Sequence, residues 1–152
     1  MAKVKLPRGI RNNNPLNIRR GKTPWLYEIT LVQCPDKSFC QFPMMKYGWR
    51  AAFMLLRTYL LKYKLRTIRQ IISKWAPSNE NNTEMYIRHV SIFANLHPDD
   101  IILRGTEIIR IAAGMCIVEN GDKYNPLLNA KDISDMDWGY TCAFGSKDYK
   151  LP

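Results

Sequence analysis

The chain has 152 residues, 46% of them hydrophobic, and a net charge of +10 from 23 Lys and Arg against 13 Asp and Glu. Length and apolar content predict one domain, residues 1–152, with a real core. No apolar run is long enough to span a bilayer, and the basic start MAKVKLPRGIRNNNP lacks the apolar stretch of a secretory signal, so membrane insertion is not expected, and if the protein acts outside the cytoplasm another route must carry it there.

The charge favours an anionic partner: nucleic acid, an anionic membrane or an anionic cell-wall polymer. It is spread along the chain, without the basic block and interleaved aromatics that track a single strand, so charge alone does not choose among them.

Residues 1–22 read as irregular. Asn12-Asn13-Asn14-Pro15 is turn material, because Asn side chains bond their own backbone and the residue before Pro avoids the helical region. Arg8, Arg11, Arg19 and Arg20 surround it, with Asn17 and Ile18 between. Two readings stand: a loop held by its own amides, or a polar platform in which Arg11, Asn12, Asn13 and Asn17 answer sugar hydroxyl and N-acetyl groups. Arg11 also suits an anchoring role, its planar fork pairing with a carboxylate such as Glu80.

From Trp25 to Phe42, β-branched and apolar residues around a Pro-Asp turn predict a short hairpin, with Trp25 placed to stack on a sugar or to pack on the core. The spacing of Ala52, Leu55, Leu56, Tyr59, Leu60 and Tyr63 predicts a helix over 47–64. Thr67 reads as the cap of a second helix, Ile68 to Trp75. A third runs from about Asn81 to Asn95, with Met85, Tyr86, Val90 and Phe93 inward. Residues 124–152 read as mixed, with an acidic run from Asp132 to Asp137. The expected class is mainly α, formally α+β: a helical domain with one small β-hairpin.

The central stretch is EIIRIAAGMCIVENG, from Glu107 to Gly121. Ile108, Ile111, Ala112 and Met115 share one helical stripe, and one further step of four reaches Glu119. Asn120-Gly121 supplies the stop. A carboxylate on the inward face of a last turn meets desolvation and the negative end of the helix dipole, and both disfavour its charge. A carboxyl kept protonated is what a general acid needs. The bland alternative is a Glu turned out to solvent at a frayed end. Glu80, in SNENNTE at the start of the third helix, is in the opposite situation, where the dipole favours charge. It serves either as a cap or as the second carboxylate of a glycosidase pair.

Of the four cysteines, Cys34 and Cys40 flank a turn and could bridge, while Cys116 reads as a buried free thiol; reduced thiols are the default. No C-x-x-C pair is present and His residues are few, so neither metal nor cofactor is expected.

Several motifs together resemble a known family: Arg8-Gly9-Ile10-Arg11-Asn12-Asn13-Asn14-Pro15-Leu16-Asn17-Ile18-Arg19, Trp25, Tyr47-Gly48-Trp49-Arg50-Ala51-Ala52, Trp75-Ala76-Pro77, Glu80-Asn81-Asn82-Thr83 and Tyr86-Ile87. Over residues 8–144 the chain looks like the phage and prophage virion proteins named after the muralytic structural protein of enveloped double-stranded RNA phages. The resemblance implies a lysozyme-like, lytic-transglycosylase-like fold and degradation of peptidoglycan. The family's C-terminal signature matches Glu119-Asn120-Gly121, Tyr124, Gly139 and Ala143, which adds Tyr124 to the candidate substrate-binding residues. Asn82 stands where many relatives carry Asp, and the acidic stretch before Trp138 is longer than usual. The run NNNPLNIRRGKTPW is also similar to a segment of bacterial glucosaminidases that follows the helix ending in the catalytic Glu. Here too few residues precede it, and the Glu119 helix would take that place by circular permutation.

The expectation is therefore an antibacterial cell-wall enzyme, probing peptidoglycan as a monomer and cleaving the bond between N-acetylmuramic acid and N-acetylglucosamine, with Glu119 as acid. Synthesis in the bacterial cytoplasm and delivery by a virion or another route would follow, with no nucleic-acid partner. The alternatives are an endopeptidase cutting the peptide cross-links and a non-enzymatic virion structural or nucleic-acid-binding protein.

Overall fold

A computed structural model describes residues 5–79 and 81–152, so Glu80 lies outside the described residues. The architecture among them is mainly helical. A single turn, α1 (Arg8–Arg11), leads through a long irregular segment into α2 (Met45–Arg57), which continues as a π-helical turn over Thr58–Lys62. Then come α3 (Ile68–Trp75), α4 (Thr83–Ala94), α5 (Gly105–Asn120), a 3-10 turn at Asp122–Tyr124, and α6 (Ala130–Phe144). No described helix is long and apolar enough to cross a membrane.

Local chemistry sets the helix starts. Thr67 accepts a hydrogen bond from the Gln70 N–H at the start of α3, Asn82 accepts from Met85 at α4, and Asn129 accepts from Asp132 at α6. Asn95 closes α4 in the left-handed conformation, and Gly121 ends α5 at φ +105°, which a side chain would resist. The α5 stripe of Ile108, Ile111, Ala112 and Met115 is buried as its spacing predicts. On α4, Tyr86 and Val90 face inward and Phe93 is half-buried, but Met85 is exposed, because the buried stripe follows Tyr86, Ile87, Val90 and Ala94. Met85 is one step, about 100°, off its centre.

Helix α6 is the element the sequence reading missed. Its acidic face, Asp132, Asp135 and Asp137, hides a core face of Met136, Tyr140 and Phe144. It packs along α2, where a Cβ on Gly139 would come within 2.6 Å of the Arg50 backbone nitrogen. Across the α2–α6 contact Phe53 meets Tyr140 edge-on at 5.5 Å and Tyr47 meets Trp138 edge-on at 5.7 Å, while within α6 Tyr140 stacks on Phe144 at 5.2 Å.

The expected hairpin over residues 25–42 is not there. Pairing reduces to an isolated antiparallel bridge, Arg19 to Phe39, with flanking backbone bonds Arg20 N–H to Ser38 O and Cys40 N–H to Ile18 O. The partner of 38–40 is thus the 18–20 stretch, and the 29–32 run contributes a backbone bond from the Ile29 N–H to Gln41 O at 2.8 Å. The physical reason is that Leu26, Leu31 and Val32 are exposed and Tyr27 takes φ +69°, so the run has no buried face to order a strand. The loop is held instead by a buried ion pair. Arg20 Nη1 donates to Glu28 Oε2 at 2.7 Å and to Ile29 O, while its Nε donates to Asp36 O.

Candidate functional site

Glu119 stands half-buried in the last turn of α5, facing a cavity of about 420 Å³. Arg8, Asn17, Arg19, Phe39, Tyr59 and Trp75 are among the residues that line it. Three separate elements converge on this one carboxylate. Tyr86, in the first turns of α4, donates its phenolic O–H to Oε2 at 2.8 Å. Trp75, the last residue of α3, shares its indole N–H between the Tyr86 hydroxyl at 3.1 Å and Oε2 at 3.4 Å. Asn17, from the Asn-rich loop, donates its amide to Oε1 at 3.1 Å.

Each donor has a structural reason for its position. The Thr83 hydroxyl donates to Ala76 O, tying the start of α4 to the end of α3 and fixing Tyr86 against Trp75. Asn120, buried beside Glu119 in sequence, donates to Pro15 O at 2.8 Å and to Cys116 O at 3.0 Å, which staples the loop to the end of α5. A Cβ on Gly9 would fall 2.3 Å from Asn120 Oδ1, so that approach requires glycine. Asn17 takes φ +53°, a conformation Asn tolerates better than most residues, and this turns its amide toward Glu119. The Glu-Asn-Gly run thus combines a carboxylate, a staple and a helix stop.

The environment keeps the donors in place. Desolvation pushes the Tyr86 phenol well above its ordinary range, and its interaction with the Glu119 carboxyl adds to this. It therefore remains a donor across the working pH range. Trp75 can only donate. Oε2 is accordingly saturated, while Oε1 has one donor and a lone pair to spare.

The other sequence candidates fall elsewhere. Asn12 donates to Asp36 Oδ2, Asn13 to Phe42 O, and Asn14 to both Ile18 O and Cys40 O while accepting from the Ile18 N–H. All three amides hold the loop, and a Cβ on Gly48 would meet Asn13 O at 1.9 Å, so α2 presses against this turn from below. Of Asn12, Asn13, Asn14 and Asn17, it is Asn17 that lines the Glu119 cavity, beside Arg8, Ile18 and Arg19. Arg11 is exposed at the end of α1, and Arg20 makes the buried ion pair that holds the loop. Trp25 is half-buried against the core, and its backbone N–H donates to Glu28. Tyr124 lines a separate cavity of about 180 Å³ with Trp49 and Cys116. Glu80 lies outside the described residues.

A hollow of about 850 Å³ runs along the outer side of α4 past Arg69, Ile92 and His97. Its carboxylate, Glu84, is exposed and paired with Arg69, so it offers no buried acid. No group of three His, Cys, Asp or Glu able to hold a metal occurs among the described residues. The four cysteines are free thiols, with Cys34 donating to Gln41 and Cys40 to Glu28.

Tyr86 and Trp75 were placed by the sequence on inward faces without a role. The available signal was that a buried phenol and an indole N–H each need a partner, and the one carboxylate on a neighbouring apolar stripe was Glu119.

Fold and cleft together define a mainly helical protein with a carboxylate held by neutral donors at the end of its most buried helix. Protein P5 of Pseudoalteromonas phage PM2 is 37% identical to the chain over 136 residues, covering 88% of this chain and 82% of that protein. The chain belongs to the family of that phage protein. No protein-family model matches the chain.

Proposed function

We propose that the protein is a lysozyme-like peptidoglycan hydrolase that cuts the β-1,4 bond between N-acetylmuramic acid and N-acetylglucosamine. The observation that carries the reading is the position of Glu119: the last turn of a buried helix, one oxygen saturated by Tyr86 and Trp75, the other with a lone pair to spare beside an open cleft. A proton on Oε1 passes to the glycosidic oxygen, the C–O bond breaks, and an oxocarbenium-like centre forms. Among the described residues lining the cavity, Glu119 is the one carboxylate. The same group must then take a proton back from the capturing nucleophile, either water or the muramyl 6-hydroxyl. No step is routed through Glu80.

The cleft also suits a sugar chain, with Tyr59 and Trp75 among its lining residues to offer ring faces. The +10 charge concentrates the protein on an anionic wall, and delivery by a virion fits a family of phage proteins. The peptidase alternative finds poor support in the thiols. Burial pushes both Cys40 and Cys116 up to about 12, far from the thiolate a cysteine peptidase uses.

Mass analysis of sacculi digested by the purified protein tests the proposal. Disaccharide products carrying intact stem peptides are expected. Cut cross-links on intact glycan, or undigested sacculi, would overturn it.

A further inference from the structure

One wall of the Glu119 cavity carries more positive charge than the acid itself requires. The guanidinium carbons of Arg8 and Arg19 stand 4.2 Å and 4.8 Å from the centre of the Phe39 ring, and all three residues line the cavity. The arrangement is built from three separated points of the chain. Asp36 Oδ1 accepts from the backbone N–H groups of Ser38 and Phe39, each at 3.0 Å, and so aims the turn that presents the ring. Arg19 pairs with Phe39 through their isolated bridge, and Arg8 comes from the start of α1.

Gathering two like charges on one ring is unfavourable unless something balances them. Asp36 balances Arg8 only at 3.8 Å, and its Oδ2 is shared with the Asn12 amide. Arg19 has no ion pair among the described residues, and Glu119 is not an ion-pair partner of either arginine. Stacking occupies the face of a guanidinium and leaves its N–H donors free along the edge, in the plane that matches a carboxylate. Sugar hydroxyls need no such charge.

We propose that Arg8 and Arg19, held on Phe39, form an anionic subsite that binds a carboxylate of the stem peptide attached to the muramyl residue. This rests on the peptidoglycan reading above. It makes the protein selective for peptide-bearing strands over strands whose carboxyls are masked.

Retention on sacculi, measured with Glu119→Gln protein so that the polymer stays intact, tests the subsite without requiring cleavage. Native sacculi are compared with sacculi whose carboxyls have been converted to amides. The double variant Arg8→Gln/Arg19→Gln is compared with a charge-matched control, Arg57→Gln/Lys150→Gln, both confirmed folded by thermal melting. The expected result is binding weakened about tenfold by the subsite variant on native sacculi, less than about twofold by the control, and no difference between them on amidated sacculi. Equal losses for subsite and control variants, or the same subsite loss on amidated sacculi, would overturn the proposal while leaving the glycosidase reading intact. Wild-type protein that neither binds nor cuts native sacculi would sink the glycosidase reading itself, and this inference with it.

Discussion

Tyr86 and Glu119, 33 positions apart in sequence, are joined by a 2.8 Å hydrogen bond from the phenol to Oε2. The bond connects α4 to the last turn of α5 and leaves Oε1 as the oxygen with a lone pair to spare. Trp75 closes the arrangement by donating to both.

Replacing Tyr86 with Phe keeps the ring and removes the donor. Glu119 Oε2 then loses its shorter partner, and thermal or denaturant unfolding is expected to show a loss of about 1–2 kcal/mol. Lytic rate is expected to fall about tenfold as the carboxyl loses its orientation. An alkaline signature accompanies this. The phenol is raised in the folded state above its ordinary 10.0, so its contribution is complete below pH 10 and is lost as pH climbs toward the folded value. The Phe variant should show a shallower stability decline above pH 10 than the wild type. An unchanged slope and unchanged activity would mean the phenol is a bystander.

The Asn-rich loop separates scaffold from site. Asn14 is fully buried with three hydrogen bonds to backbone groups, so Asn14→Ala should cost about 2–3 kcal/mol, several degrees of melting temperature for a domain this size. Asn17→Gly retains the positive φ that the position needs and removes only the amide reaching Glu119. It should melt close to wild type and lose activity about tenfold or more. A melting loss at Asn17 as large as at Asn14, with activity kept in the folded fraction, would make Asn17 scaffold as well.

Much of this was legible in the sequence because it depends on local rules. The stripe that led to Glu119, the Thr67 cap and the Asn95 stop each follow from spacing or from the chemistry of one residue. The helix over 130–144 was not legible, because its acidic face drew the eye from Met136, Tyr140 and Phe144, and its burial depends on α2 lying alongside. The hairpin failed for a similar reason: β-propensity at Leu31 and Val32 had no core face to satisfy. Within the candidate site, spacing placed Glu119 on the inward stripe and the loop reading named Asn17, but neither showed that Tyr86, Trp75 and Asn17 meet the carboxyl. Their meeting depends on long-range contacts, Thr83 with Ala76 and Asn120 with Pro15, which no periodicity encodes.

The cysteines give a direct check on the loop. Cys142 is exposed on α6, while Cys34, Cys40 and Cys116 are buried. A thiol reagent should therefore modify one cysteine rapidly in the native protein and four after denaturation without reductant. Two reactive thiols after denaturation would reveal a Cys34–Cys40 bridge and contradict the hydrogen bonds of those thiols to Gln41 and Glu28.

The central claim is that Glu119 supplies the proton. Glu119→Gln preserves size and leaves an amide able to meet the same neighbours, so the fold should persist, checked by its melting curve. The deciding measurement is the rate at which that variant releases soluble glycan fragments from purified sacculi, relative to wild type. The account predicts a loss of at least about 100-fold, the scale associated with removing a general acid. A well-folded variant that digests sacculi at close to the wild-type rate would contradict it.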